Sequence, residues 1–223
     1  MPMDPNADIE ISAYSWVPPL ARGQVRDLRP RWALEEIGLS YRTRLMDVRD
    51  KPDDYFHDQP FGQVPAYREG DIRLFECGAI ALHIAEKDER LLPRDPVARA
   101  RAITWLFAAL NSFDPMFVAL AIARFHGEEK GWATGVREAV LPMLDKRLGQ
   151  LAGVLGDKEW LEGTFTVGDL MMVATLRSFN RKVVTLPDSI ADYVARGEAR
   201  PAFKAAMAAQ MADFISEEEG VPA

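Results

Sequence analysis

The sequence predicts a small α/β domain over residues 1–90 followed by an all-helical domain over residues 91–223, and three observations carry that prediction. The first ninety residues alternate short apolar runs with helical patterns, in the order β-α-β and then β-β-α. LLPRDP, residues 91–96, is a proline-punctuated linker. Beyond it no stretch reads as a strand, whereas helical periodicity returns several times. A chain of 223 residues has room for one large domain or two small ones.

Taken in order, IEISAYSW (9–16) has period-two character through Ile9, Ile11 and Ala13, which predicts a strand. WVPPLARGQVRD holds two prolines and a glycine and reads as a loop. In RDLRPRWALEEIGLS the residues Trp32, Ala33, Leu34 and Ile37 suit a helix. Asp27 stands at its N-cap, Pro30 in the first turn where a missing N–H costs nothing, and Gly38 at its end. SYRTRLMDV (40–48) predicts a second strand and KPDDYFHDQPFG a polar connection. The strand VPAYREG, a turn at Gly70 and Asp71, the strand IRLFE and the helix CGAIALHIAEKDE complete the first domain. In the second, VARARAITWLFAALNSFDPMFVALAIARFHG is a long helical pattern with a kink or break expected at Pro115. Further helices are predicted in GVREAVLPMLDKRLGQLAGVLG, in 167–181, in DSIADYVARGE and in RPAFKAAMAAQMADFISEE, and SEEEG reads as a solvated acidic tail.

Hydrophobic residues at 48% and charged residues at 27% are the balance of a soluble globular protein. One cysteine excludes an intramolecular disulfide and any thiolate metal cluster, which favours a reducing, cytoplasmic setting. MPMDPNAD lacks the features of a signal peptide and nowhere do eighteen apolar residues follow one another, so neither export nor a membrane partner is expected. A net charge of -7 repels phosphate backbones, and the one basic stretch, ARGQVRDLRPR, lacks interleaved aromatics; no nucleic-acid partner is expected. His57, His83 and His126 have no metal-ligand spacing, and His83 shares a helical face with Ile80 and Ile84, as a core residue does. Thr166 and Asp169 have the spacing of a capping box.

Two places invite chemistry. Pro65, following Val64, cannot donate to a sheet ladder. If the bond is cis, the turn it makes leaves the Val64 N–H and C=O free to pair with an extended peptide-like ligand. Only about one X-Pro bond in twenty is cis in folded proteins, so local sequence alone favours a plain loop proline. Cys77 lies where a helix should begin, and helix N-termini receive carboxylates and lower thiol pKa values. It reads as a cap for a ligand carboxylate, as a redox-active thiolate, or as a small buried residue at a helix start.

The stretch QVPAYREGDIRLFECGAIALHIAEK (63–87) resembles the glutathione transferase pattern of a Val-Pro pair, a short hairpin, a Glu-Ser pair and an Ala-Ile helix. The likeness continues through ALEEIGLSYR, the LLPRDP linker, TFTVGDLMM and a last helix opening RPAF. The resemblance implies a thioredoxin-like first domain, an all-α second domain that shapes the acceptor pocket, and a homodimer. Glutathione is the implied co-substrate and a small hydrophobic electrophile the acceptor, with no metal. It also implies that Val64 bonds the cysteinyl backbone of glutathione beside a cis Pro65, that Glu76 and Cys77 receive its γ-glutamyl end, and that Gln63 adds a contact. Cys77 stands where most relatives have serine, and a thiol is the weaker donor. Trp105, Leu106, Asn111, Met116 and Phe117 fall on the helix that lines the acceptor pocket in this fold, although core packing explains most of them equally well.

In that family a Tyr, Ser or Cys just after the first strand favours the glutathione thiolate. Here different gaps bring Pro18, Trp16 or Gln24 to that position, and Pro18 has no side-chain donor. Tyr14 and Ser15 lie close by, and because successive strand residues point to opposite faces at most one of them faces the site. Among Arg22, Arg26, Arg29 and Arg31, Arg22 lies nearest the loop and is the choice for steering the anionic tripeptide or its thiolate; the alternative is a set of surface arginines paired with nearby acids. The catalytic candidates are therefore Ser15, Trp16 and Arg22. Two further readings keep the fold: a glutathione-dependent thiol-disulfide exchange through Cys77, or a binding and assembly module without turnover.

Overall fold

The structure is a computed structural model that describes residues 3–179 and 182–215. The acidic tail and the end of the 167–181 pattern lie outside the described residues. Contacts divide the chain into two compact units, one made of the residues up to Leu92 with those from Arg200 on, the other Pro93–Ala199. That division gives the closing helix to the first unit, a feature the linear boundary near residue 90 does not contain.

In the first unit β1 (Ile9–Trp16), β2 (Tyr41–Asp47), β3 (Ala66–Glu69) and β4 (Ile72–Phe75) form one sheet in the order β2-β1-β3-β4. β1 runs parallel to β2 and antiparallel to β3, and β3 runs antiparallel to β4. A parallel pair needs a crossover, supplied here by α1 (Leu28–Ile37). α1 ends where Gly38 takes the left-handed conformation, φ 74°, which a side chain disfavours. The core is Ile9, Ile11 and Ala13 of β1 with Trp32, Ala33 and Leu34 of α1 and Ile80, Ala81 and Ile84 of α2 (Cys77–Ala85). His83 is half-buried, edge-on to Tyr67 and 3.0 Å from Glu69, which also receives Lys87 at 2.8 Å, so the last turn of α2 is tied to β3.

Two expectations for α1 are corrected. Asp27 occupies the N-cap position but its carboxylate caps nothing; it accepts from Arg31 Nε at 2.8 Å and from Gln210 Nε2 at 2.8 Å. Arg29 and Arg31 are buried, not surface residues, because α1 is covered by α2, where Cys77 receives Arg29, and by α8 (Pro201–Ala212), which brings polar partners for Arg31. Asp213 takes Arg31 Nη2 at 2.5 Å, Arg200 bonds Glu36 at 2.6 and 2.8 Å, and the Phe203 ring meets Trp32 edge-on at 5.0 Å.

The second unit is helical: α3 (Pro96–Ala108), α4 (Asp114–Ile122), α5 (Ala133–Leu155), α6 (Val167–Leu176) and α7 (Asp188–Ala199). The interruption expected at Pro115 takes the form of a π-helical turn and not of a chain break: α3 ends at Ala108 and α4 begins at Asp114. A π-helical turn, Ala109–Phe113, widens the helix just before the proline, so the chain continues into α4 without needing the missing N–H. Among the described residues the run Pro96–Gly127 is long and apolar enough by length and composition to cross a membrane. Asp114 lies within it and is buried in protein. At the start of α6 Thr166 and Asp169 form the capping box, and Asp169 is further bonded by Leu161 N at 2.9 Å and Tyr193 Oη at 3.0 Å. Gly168 lets α6 approach α3: a Cβ there would lie 2.7 Å from both Ala102 O and Trp105 Cβ. Gly168→Ala is expected to lower unfolding free energy by about 1–3 kcal/mol, read from urea unfolding, since backbone cannot give way as a flexible side chain can. Leu106 and Met116 are buried, and Phe117 stacks edge-on to Phe179.

Candidate functional site

β1 presents Glu10, Ser12 and Tyr14 on one face, the alternation that a strand enforces. Over that face lies the connection after β2, whose short 3-10 turn Asp53–His57 buries Tyr55 completely. Tyr55, Met46, Val64 and Ala66 form a small core cluster, with Tyr14 and Val25 packed against it. The Val64–Pro65 bond is cis, against the odds of its local sequence. The Val64 side chain is held in the cluster, while its N–H and C=O make no backbone hydrogen bond to another described residue. Gln63 is exposed and its carbonyl accepts from Tyr55 Oη at 2.5 Å; Pro65 is buried.

α2 opens beside this segment in the chain, after β4. Glu76, at its N-cap, is exposed and has φ 68°, a left-handed conformation that costs a non-glycine residue about 1–3 kcal/mol and collects at ligand-binding positions. The Glu76 side chain does not cap α2, and among the described residues its first-turn amides keep their donor capacity for an anion. Cys77 is 2% exposed, and its sulfur receives Arg29 Nη1 at 3.3 Å.

The three catalytic candidates from the sequence are drawn apart. β1 runs through Trp16, with its register to β2 shifted between Tyr14 and Trp16; Ser15 sits in that irregularity and donates to Met46 O at 3.3 Å. The Trp16 ring lies under the Arg49 guanidinium at 4.5 Å. Arg22 turns to the segment after α8, donating to Ile215 O at 3.3 Å and lying 5.7 Å from the Phe214 ring centre. Tyr14, the neighbour of Ser15 and not among the three catalytic candidates, is the residue that packs against the Val64 cluster. Its hydroxyl bonds no described residue. Burial, with the neighbouring Tyr55 and Asp27, pushes its pKa up to about 12, so the group is a neutral donor. The signal available in the sequence was the two-residue step from Ser12 to Tyr14 on one strand face, which became decisive only once Val64 was placed against it.

The model of the "Glutathione S-transferase, N-terminal domain" family matches residues 20–86. A glutathione S-transferase of Hyoscyamus muticus is 32% identical over 161 residues, which make up 66% of this chain and 75% of that protein. The chain belongs to the glutathione S-transferase family. In keeping with that membership, the first unit is the family's thioredoxin-like domain with its mixed four-stranded sheet, followed by a mostly helical part. A glutathione S-transferase of Xylella fastidiosa shares the fold with a TM-score of 0.76 at 21% identity, over 93% of this chain and all, 100%, of that one. A family member from Pseudomonas fluorescens, solved with two glutathione molecules bound, has a TM-score of 0.74 at 23% identity, over 89% of this chain and 92% of that one. The chain is also 28% identical to the disulfide-bond oxidoreductase YghU of Escherichia coli, over 62% of this chain and 50% of that protein.

Proposed function

We propose that this glutathione S-transferase family member conjugates glutathione to a small hydrophobic electrophile. The observation that carries the reading is the meeting, at Val64, of a backbone N–H and C=O and a Tyr14 hydroxyl that bond no other described residue. The Val64 N–H and C=O pair with the cysteinyl backbone of glutathione as an added strand would, with Gln63 and Pro65 flanking. The γ-glutamyl carboxylate is received at Glu76 and Cys77 by the opening amides of α2. The bound sulfur, as thiolate, attacks the electrophilic carbon; a C–S bond forms, the leaving group departs with its electron pair, and the thiol proton passes to solvent. Ser15, Trp16 and Arg22 remain the candidates that the sequence nominates, and to them we add Tyr14, whose hydroxyl needs no rearrangement to donate to the thiolate. Retention on immobilised glutathione and conjugation of an activated aromatic halide test the proposal; absence of both rejects it.

The similarity to YghU supports a second reading, thiol-disulfide exchange through Cys77. Its burial weighs against it, because a reactive thiolate must be reached by a disulfide. Cys77→Ser is expected to leave conjugation within about threefold of the wild type and glutathione affinity unchanged or slightly better, measured by initial rates and titration. Loss of a glutathione-dependent reductase activity in that variant would favour the exchange reading instead. Binding without turnover over a broad panel of electrophiles would favour a non-catalytic module. Homodimer formation and a cytoplasmic location belong to the same proposal; the exposed edge-on pair Phe61 and Phe75, at the edge strand β4, supports the former, and sedimentation velocity tests it.

A further inference from the structure

We infer that Ser12 and Tyr55 are positioning residues for glutathione: they form a directed chain of hydrogen bonds that clamps both ends of the segment Gln63–Ala66 and so sets where the Val64 backbone meets the ligand. This rests on the transferase reading above. Three contacts make up the clamp. Ala66 N lies 2.6 Å from Ser12 Oγ, Ser12 Oγ lies 2.7 Å from Tyr55 Oη, and Tyr55 Oη lies 2.5 Å from Gln63 O.

The direction of the chain follows from counting protons. A backbone amide only donates, so Ser12 Oγ accepts from Ala66. A carbonyl only accepts, so the single hydroxyl proton of Tyr55 goes to Gln63 O. The bond between the two hydroxyls therefore runs from Ser12 to Tyr55, and neither side chain has a second arrangement that satisfies all three contacts. Ser12 is 4% exposed and Tyr55 0%, so water does not replace a missing member. Burial raises the Tyr55 pKa, with Ser12 opposing, which keeps the hydroxyl protonated as the chain requires.

Tyr55 is itself fixed from outside the clamp. Three residues on, the buried Asp58 binds Arg73 at 3.1 Å, Arg44 at 3.4 Å and Arg68, and the Arg44 guanidinium lies 5.7 Å from the Tyr55 ring centre. The 3-10 turn that carries Tyr55 is thereby anchored to β2, β3 and β4 together. A ligand that pairs with the Val64 backbone meets groups set by β1 through Ser12 and by this turn through Tyr55.

Tyr55→Phe, which keeps the ring, and Ser12→Ala test the inference, with Ser12→Thr as the variant that restores a hydroxyl. Both disruptive variants are expected to raise the KM and Kd for glutathione about tenfold. The kcat at saturating glutathione and the KM for the aromatic halide should stay within about twofold. Their double variant should lose no more than either single one, because both break the same chain. Ser12→Thr should restore wild-type affinity. Amide exchange at Ala66 gives a readout independent of glutathione: its protection falls in Ser12→Ala and in Tyr55→Phe, whatever the ligand. Unchanged Ala66 exchange, or an unchanged glutathione KM in folded Tyr55→Phe, overturns the clamp. If the wild-type protein binds no glutathione, the transferase reading fails and the positioning role with it, while Ala66 exchange still decides whether the chain of bonds exists.

Discussion

Tyr14→Phe should lower kcat for conjugation by about a hundredfold or more, the usual cost of removing one donor aimed at a developing anion. The ring that packs against Met46, Tyr55, Val64 and Ala66 is kept, so the variant should fold and bind glutathione much as the wild type does. Its bound thiol loses a hydrogen bond to the charged form, and the rising limb of the pH-rate profile, which reports thiol ionisation, moves to higher pH. Tyr14 itself adds no falling limb in the working range. Its folded pKa of about 12 lies above the ordinary 10.0, so the protonated donor is fully present below that ordinary value and is lost only as pH rises through about 12. Ser15→Ala is expected to change kcat by no more than about threefold, because its hydroxyl already donates to Met46 O. A Ser15→Ala enzyme without turnover beside an active Tyr14→Phe enzyme would reverse the assignment.

The second large effect is on stability. Arg31→Met should cost about 3–5 kcal/mol in urea unfolding, although it keeps most of the side-chain volume. Arg31 is 0% exposed and lies between Asp27 and Asp213, at 2.8 and 2.5 Å. Burial lowers its pKa, but the two carboxylates outweigh that and hold the guanidinium charged. Without it, Asp27, itself 1% exposed, keeps among the described residues only Gln210 as a side-chain partner. Asp27→Asn together with Arg31→Met should recover part of the loss, since the second substitution removes the stranded charge. A cost below about 1 kcal/mol for Arg31→Met would show that the cluster does not hold α8 to α1. The effect extends toward the site: Gln210 also donates to Val25 O at 3.1 Å, and Val25 packs on the Val64 cluster.

Local chemistry accounts for what was legible in advance. Period-two runs, a glycine at the end of α1 and the Thr166–Asp169 pair act within a few residues of themselves, so β1, α1 and the start of α6 fall where the pattern places them. Pro115 marked where the α-helical pattern is interrupted but not its form, since nothing in the flanking residues announces the π turn Ala109–Phe113 that precedes the proline. The basic stretch misled because its partners are distant in sequence: Arg31 looks like a solvated charge until α8 and Asp213, more than 160 residues later, close over it, and Arg29 until Cys77 of α2 meets it.

The sequence by itself determined the order of strands and helices and, through residues 63–87, the likeness to glutathione transferases. Only the tertiary structure decided which side chains meet at Val64. Tyr14 and Tyr55 pack in its cluster and Ser12 bonds Ala66 two residues on, across separations of up to 54 residues set by sheet pairing and not by spacing along the chain. Ser15, Trp16 and Arg22 lie close to Tyr14 in sequence, but the register shift at the end of β1 and the pull of Met46, Arg49 and Ile215 turn them to other partners.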